Sequence, residues 1–465
     1  MNPRSLCLAL LCAVLLTAAP TLRAQNSNQT PSQTAFTLKE AVDYGVRNNR
    51  NVTNSQLDLA IAKDRIGEIK ATGLPQLSAV VGLQHVIKPQ PFFLPPGLSF
   101  GGPPDPNADP SQETALALGG VRFTSNALAN LNWLVFSNSY LQGLRAAKSY
   151  TELAVKNLSA SKITVAENVT KAYFNVLVNE EQLGLLGANV TRLDSLLRET
   201  RALNEQGLVE KLDVQRLEVQ RNNLNTERQN IERLQELAIV LLKFQMGYPL
   251  DQPMTLSEKL ARMDFTEAMV TDVSLPFNYA NRIEYSTLQS QRELQVINVE
   301  NERKAYLPTV AIAGNYGYYN GRQTLTRFIT RPWLDAGSVG VNVSVPIFDG
   351  FSRKYRTAQA RGNLLKVDNS LKLLEQSIDL QLRQSQTQVR NYWYTLQEQK
   401  KNLDLSQEVL RVTRIKYKEG VGANIEVINA EASFREAQTN YYNALYNALL
   451  AKVDLDKATG RLYTE

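Results

Sequence analysis

The sequence predicts a unit of helix, β-hairpin, very long helix, tip and return helix that occurs twice in one exported chain. Its four strands can make a membrane β-barrel only if several copies of the chain share it. Three observations predict this. First, Gly207-Leu208-Val209-Glu210-Lys211-Leu212-Asp213-Val214 returns as Gly420-Val421-Gly422-Ala423-Asn424-Ile425-Glu426-Val427, 213 positions later, each time between two helical stretches. Second, residues 155–197 carry a sustained three-four spacing of apolar positions, the mark of coiled-coil packing. Third, four segments alternate apolar and polar residues with the period of a strand whose two faces differ.

Residues 1–24 read as a secretory signal peptide, with Arg4, an apolar run over 6–19 and Leu22-Arg23-Ala24 as the cleavage site. The mature chain then starts near Gln25, with 25–35 as an N-terminal extension. Both cysteines, Cys7 and Cys12, fall in the leader, so the exported protein holds no disulfide and no thiolate metal site. Without the leader the chain has 49 basic and 45 acidic residues, a balance too mild for nucleic acid. Beyond the leader no apolar run reaches 18 residues, which excludes an ordinary transmembrane helix. A membrane role therefore needs strands.

Repeat 1 covers 36–246. Residues 36–72 are helical in composition and Leu74-Pro75 closes them, because the residue before proline is pushed out of the α region. A β-hairpin follows over 76–136. Its first strand, 76–87, has Leu77, Ala79, Val81, Leu83 and Ile87 in phase; its second, 121–135, has Phe123, Ala127, Leu131 and Trp133 against Arg122, Thr124, Asn126, Asn130 and Asn132. The Pro/Gly-rich stretch 89–111 between them is a loop. Core positions of the long helix, about 138–203, run 155, 158, 162, 165, 169, 172, 176, 179, 183, 186, 190, 193 and 197, only Lys162 and Asn179 being polar. At ~1.5 Å per residue such a helix extends roughly 100 Å. The return helix covers about 208–246.

A mixed segment, 247–275, leads into repeat 2, residues 276–465. Helix 276–306 ends in Leu307-Pro308, as the first ended in Leu74-Pro75. A second hairpin over 309–347 has strands 309–319 and 338–347, a second long helix spans 349–418, and the last helix runs to Gly460. Trp133 and Trp333 occupy apolar phases of strands, where interfacial anchoring competes with plain packing. The single histidine, His85, is read as a strand residue and makes no metal site. No phosphate-cradling loop or catalytic constellation emerges, so the expectation is a non-enzyme without cofactors.

The order of elements, the twin Leu-Pro strand entries and the repeated phrase Gly-[Leu/Val]-x-x-x-[Leu/Ile]-[Asp/Glu]-Val together resemble the TolC-like outer-membrane channel proteins, over about residues 36–460. The resemblance implies a membrane β-barrel plus α-helical barrel: a homotrimer in which four strands per chain form a twelve-stranded barrel, continued by a coiled-coil tunnel across the periplasm. It implies a passive exit duct in the outer membrane, embedded in its lipid and coupled through a periplasmic adaptor to an inner-membrane pump. Carried over by position, a gate link joins Asp213 to Tyr417, and an acidic constriction falls on Glu426 and Asn429. The chain departs from the family pattern at Asn429, where a second carboxylate is expected, and at Gly422, where an arginine is expected. Adaptor contact would fall on Gly207, Leu208, Val209, Gly420 and Val421. The competing readings are structural: Asp213 and Glu426 as acids favoured near helix N-termini, Tyr417 as interhelical packing, and the glycines as turns. Two rivals for the whole chain are a type I protein-secretion duct of the same fold and, from another class, a structural coiled-coil protein of the envelope.

Overall fold

The computed structural model describes residues 35–87, 92–94, 114–116, 121–260, 277–330 and 332–463. The signal peptide, residues 25–34, most of the Pro-rich loop and the second half of the mixed segment lie outside the described residues. The chain begins with β1 (Ala35–Phe36), α1 (Leu38–Asn48) and α2 (Arg50–Thr72). The single helix expected over 36–72 is thus preceded by a short strand and broken at Asn49. Thr37 starts α1 with a capping box, its side chain receiving the Glu40 N–H while the Glu40 carboxylate receives the Thr37 N–H. Asn49 stops α1 and caps α2, its Oδ1 accepting from the Asn51 N–H.

β2 (Gln76–His85) pairs antiparallel with β5 (Phe123–Phe136). Between them, β3 (Phe92–Leu94) pairs with β4 (Thr114–Leu116), so part of the Pro-rich connection forms a small ribbon of its own. α3 (Asn138–Glu205) and α4 (Lys211–Met246) are the first long helix and its return, and α4 starts three residues later than expected. β6 (Thr255–Leu256) runs parallel to β1. A 3-10 turn, Tyr279–Asn281, precedes α5 (Ile283–Arg303), which is shorter at both ends than the helix expected over 276–306. β7 (Thr309–Arg322), the short α6 (Leu325–Thr330) and β8 (Leu334–Ser344) form the second hairpin. Its last strand starts at Leu334 and stops at Ser344, not Ile347, because Pro346 has no N–H for the ladder. Trp333 consequently sits just before the strand. α7 (Ser352–Lys418) and α8 (Asn424–Ala458) complete the chain.

The four long strands make one sheet in the order β2-β5-β7-β8. One face collects Leu77, Leu131 and Val339 in one register row, and Trp133, Ile312 and Val341 in another. The opposite face carries Ser78, Asn130, Asn315 and Ser338 in a row, with the Asn315 amide donating to Ser338 Oγ at 3.1 Å. Both faces are largely open. Among the described residues β2 and β8 have no further strand beside them at the two edges.

The core lies where the helices meet below the sheet. α3 pairs with α4 and α7 with α8. Phe36, Val169, Tyr173, Leu177, Leu242, Met246, Ala448 and Leu455 belong to one buried cluster. The expected heptad seam of α3 is buried at Val165, Val169, Ala172 and Val176 and again from Leu186 to Leu197, with Asn179 and Leu183 half-buried between, but Val155 is 47% exposed. Upstream of 165 the helix lies between α2 and α5 and uses a different, polar contact set. Ser161 Oγ lies 2.8 Å from Ser55 Oγ, and Lys156 Nζ donates to Ser290 Oγ at 2.6 Å. Among the described residues no helix is long and apolar enough to cross a membrane.

The two halves share details finer than element order. Gly247 and Gly460 end the return helices at φ 69° and 73°. Asn49 Nδ2 donates to the Gln245 carbonyl at 2.7 Å, and Arg282 Nη1 donates to the Ala458 carbonyl at 3.0 Å. Gln245 and Ala458 stand 213 positions apart, while Asn49 and Arg282 stand 233 apart, as the Leu-Pro pairs do. Different side chains thus clamp the same point of each helix.

Candidate functional site: the paired helical tips

At each tip the long helix ends in a left-handed glycine. Gly207 and Gly420 both have φ 75°. The Leu208 N–H reaches the Leu203 carbonyl at 2.9 Å and the Gly207 N–H the Asn204 carbonyl at 2.9 Å; Val421 to Lys416 and Gly420 to Tyr417 repeat the pair at 3.0 and 3.1 Å. These are Schellman closures, which only a residue tolerant of positive φ completes without strain. Asn204 Nδ2 adds a bond to the Val209 carbonyl at 2.7 Å. The following residue is thrown outward: Leu208 is 67% and Val421 77% exposed. Leu212 and Ile425, one turn on and again 213 apart, are exposed as well. Val209 is half-buried.

The tips lie side by side. Val214 and Leu217 of α4 share a buried cluster with Val427 and Ile428 of α8, and Tyr417 packs against it. Glu426 and Asn429, three apart near the start of α8, are both exposed. The link expected between Asp213 and Tyr417 is not made within the chain. Asp213 Oδ1 lies 3.6 Å from Arg216 Nη1, while Tyr417 Oη is buried with no hydrogen-bond partner among the described residues. The ring follows the hydrophobic cluster and leaves its hydroxyl stranded. Gly422 is tight: a Cβ there would stand 3.1 Å from the Tyr417 backbone nitrogen and 3.2 Å from Lys416 Cβ. Any side chain at 422, an arginine included, requires the end of α7 to give way.

Sequence reasoning missed three features here. Asn424, the first residue of α8, is buried with both amide atoms unpartnered. Glu431 lies between Arg414, at 3.0 Å, and Arg192, at 3.7 Å, and Arg192 lies 5.3 Å over the Phe434 ring. Above them a groove of about 620 Å³ opens between α3 and α7, lined by residues including Arg192, Glu199, Arg411, Arg414 and Lys418. Glu431 gave no sequence signal beyond its place about one turn and a half after Glu426; its partners come from two other helices, Arg414 from α7 and Arg192 from α3.

Higher up, a second polar clasp holds the helix pairs together. Glu167 receives Lys171 at 2.8 Å and Lys457 at 2.7 Å, and Lys171 also reaches Asp454 at 2.7 Å. Burial pushes the Glu167 carboxyl up, but the hydrogen bonds and charges of the two ammonium groups outweigh it and hold the group below its ordinary 4.5.

This geometry defines a class: a unit of coiled-coil wall, open at one end into an amphipathic sheet and turned back at the other through two adjacent glycine tips. Residues 287–461 match the family described as Outer membrane efflux protein. The chain is 20% identical to the outer membrane protein TolC of Vibrio cholerae, over 76% of this chain and 78% of that protein. It is 22% identical to the alkaline protease secretion protein AprF of Pseudomonas aeruginosa, over 61% of this chain and 58% of that protein. Among solved structures, the outer membrane protein VceC from Vibrio cholerae superposes with a TM-score of 0.67 at 14% identity, covering 91% of this chain and 96% of that one. Over residues 287–461 the chain is similar to the outer membrane efflux proteins, and over nine-tenths of its length it has the fold of the outer-membrane channels.

Proposed function

We propose that three copies of the chain form an exit duct that carries solutes passively through the outer membrane. The observation that carries this reading is the four-stranded sheet, with an apolar and a polar face, two unpaired edges, and strands of 10, 14, 14 and 11 residues. Strands of about 9–11 residues or more span a bilayer when tilted, and lipid tolerates strands only when no edge is left open. Four strands cannot close alone; β2 of one copy against β8 of the next closes twelve. The polar rows then face the lumen. The same operation sets α3, α4, α7 and α8 of three copies into a tunnel. Exposed Leu234, Leu237, Leu241 and Phe244 recur three and four apart along α4, an apolar stripe fitted to a neighbouring copy.

In this reading the tips are the periplasmic mouth. Exposed Leu208, Leu212, Val421 and Ile425 offer apolar contacts to the helical hairpins of an adaptor, which couples the duct to an inner-membrane pump. The stranded Tyr417 hydroxyl and the Asp213 carboxylate near the same cluster are the two halves of a latch that closure brings into reach. Glu426 supplies one carboxylate ring, and Asn429 leaves the second ring neutral. Single-channel conductance in a planar bilayer tests this. Wild-type protein should give ohmic pores, Asp213→Ala and Tyr417→Phe wider ones; no pore from the wild type sinks the reading, and unchanged mutants remove the latch alone. The similarity to AprF favours protein secretion as the second reading, and a flanking gene for an ABC exporter in place of a proton-driven pump would favour it.

A further inference from the structure

Between the end of β8 and the start of α7 the chain turns through Gly350 and Phe351, the Ser352 N–H reaching the Asp349 carbonyl at 3.3 Å and the Arg353 N–H the Asp349 carboxylate at 2.9 Å. Phe351 has φ 65°, the one non-glycine residue in the left-handed region among the described residues. It stands at the N-cap of α7, where Ser, Asp or Asn would bond the helix, and makes no side-chain cap. Nor is its ring in the core: Phe351 is 60% exposed. The turn explains the backbone at 351 and the carboxylate of Asp349 serves the helix start, but a glycine or asparagine would suit that backbone better, so an exposed phenylalanine there points to a use outside the chain.

The neighbours share that exposure. Ile347, in phase with the exposed Val339, Val341 and Val343 of β8, is 92% exposed, and Phe348 and Tyr355 are exposed too. Phe348 and Phe351 meet edge to face with centroids 5.6 Å apart. Arg353 lies 5.3 Å over the Tyr306 ring and 3.4 Å from Asp349, so its charge is engaged. Lys354 and Arg356 are exposed and make no ion pair among the described residues. On the strand side of this collar Trp133 of β5, in one register row with Val341 of β8, donates its indole N–H to the Gly73 carbonyl beside Leu74-Pro75, and the collar itself follows β8 and opens α7. It is the rim where strands give way to helices.

We infer that this rim binds anionic phospholipid headgroups of the leaflet facing the periplasm, with Phe348, Phe351 and Tyr355 at the acyl boundary and Lys354 and Arg356 on the phosphates. Aromatic rings favour the bilayer interface, and unpaired cations beside them complement negative lipid. Strain at Phe351 is then the means of aiming a ring into the interface from the first turn of a helix.

The inference rests on the sheet being the membrane-embedded part. The full-length mature protein would be placed in nanodiscs of phosphatidylcholine, alone or mixed equally with phosphatidylglycerol. Lipids retained on transfer to mild detergent would be counted by native mass spectrometry. Wild type should keep phosphatidylglycerol over phosphatidylcholine several-fold. Lys354→Gln/Arg356→Gln should bring that ratio near one. Phe351→Gly should lower total retained lipid at least twofold, with a thermal midpoint in detergent equal to or above wild type because glycine suits the backbone. Wild-type ratios in the charge variant, or wild-type lipid numbers in Phe351→Gly, overturn the inference. So does dissociation of the assembly by Phe351→Gly, which would assign the patch to a second copy. Failure of wild type to enter nanodiscs would instead strike the membrane reading itself.

Discussion

A Cβ on Gly247 would stand 2.7 Å from the Asn48 carbonyl oxygen, and one on Gly460 2.3 Å from the Asn281 carbonyl oxygen, whereas Gly207 and Gly420 look into open space. All four hold positive φ, so alanine at any of them costs about 1–2 kcal/mol for the backbone alone. The first two add a backbone collision of about 1–3 kcal/mol. Thermal unfolding should therefore rank Gly247→Ala and Gly460→Ala as clearly more damaging than Gly207→Ala and Gly420→Ala; equal losses would refute the close approach. These glycines were legible in the sequence because each ends an apolar period at a fixed offset. The carbonyls beneath two of them were not, since Asn48 and Asn281 meet the return helices only through tertiary packing. Glu167 was equally invisible, its two ammonium partners lying on α3 and on α8. Its folded pKa is depressed, so the stability it brings is present above about pH 4.5 and lost as pH falls through the folded value. Glu167→Gln should cost on the order of 1–2 kcal/mol at neutral pH by weakening the charge-assisted bonds to Lys171 and Lys457, whose ammonium groups stay partly solvated. The variant should also lose part of the acid destabilisation that wild type shows; an unchanged acid limb in a melting series would contradict the clasp.

At the scale of elements, strand alternation and heptads fixed most boundaries, and the departures have local causes. Pro346 ends β8 early, Thr37 and Asn49 cut the first helix in two, and the polar sandwich of α2 and α5 takes Val155 out of the seam. Periodicity gives the face a helix buries only while one partner persists along it. The tips show the same limit in reverse: the repeated phrase marked the turns, but not that Leu212 and Ile425 would join Leu208 and Val421 outside. Placing Asp at 208 and 421 together leaves both Schellman closures intact, because their bonds are backbone only. Pull-down by the cognate adaptor should fall at least tenfold, about 1.4 kcal/mol or more, while the thermal midpoint stays within a degree or two. Loss of folding, or full adaptor capture, would remove the tips from the coupling surface.

The whole molecule raises one question that a single chain cannot answer internally: what covers the edges of β2 and β8. Unpaired edges in lipid leave N–H and C=O groups without partners, at several kcal/mol for each group. The stripe Leu234, Leu237, Leu241 and Phe244 leaves the helical part with the same need on its flank. Both are met if each copy adds its β8 to the β2 of the next and three copies close the ring. Residues 25–465 contain no cysteine, so thiols introduced into protein lacking residues 1–24 report without background. Ser78→Cys on β2, combined in turn with Ser338→Cys, Gly340→Cys or Asn342→Cys on β8, samples positions two residues apart, which point to one face of the strand. Disulfides form only when Cα atoms approach within about 4.4–6.8 Å, so at least one pairing should yield dimer and trimer bands on a non-reducing gel, and the pairing two or more positions off should yield few. A ladder extending past trimer would give a larger ring, and monomer alone across all three pairings would leave the sheet edges facing something other than a second copy of this chain.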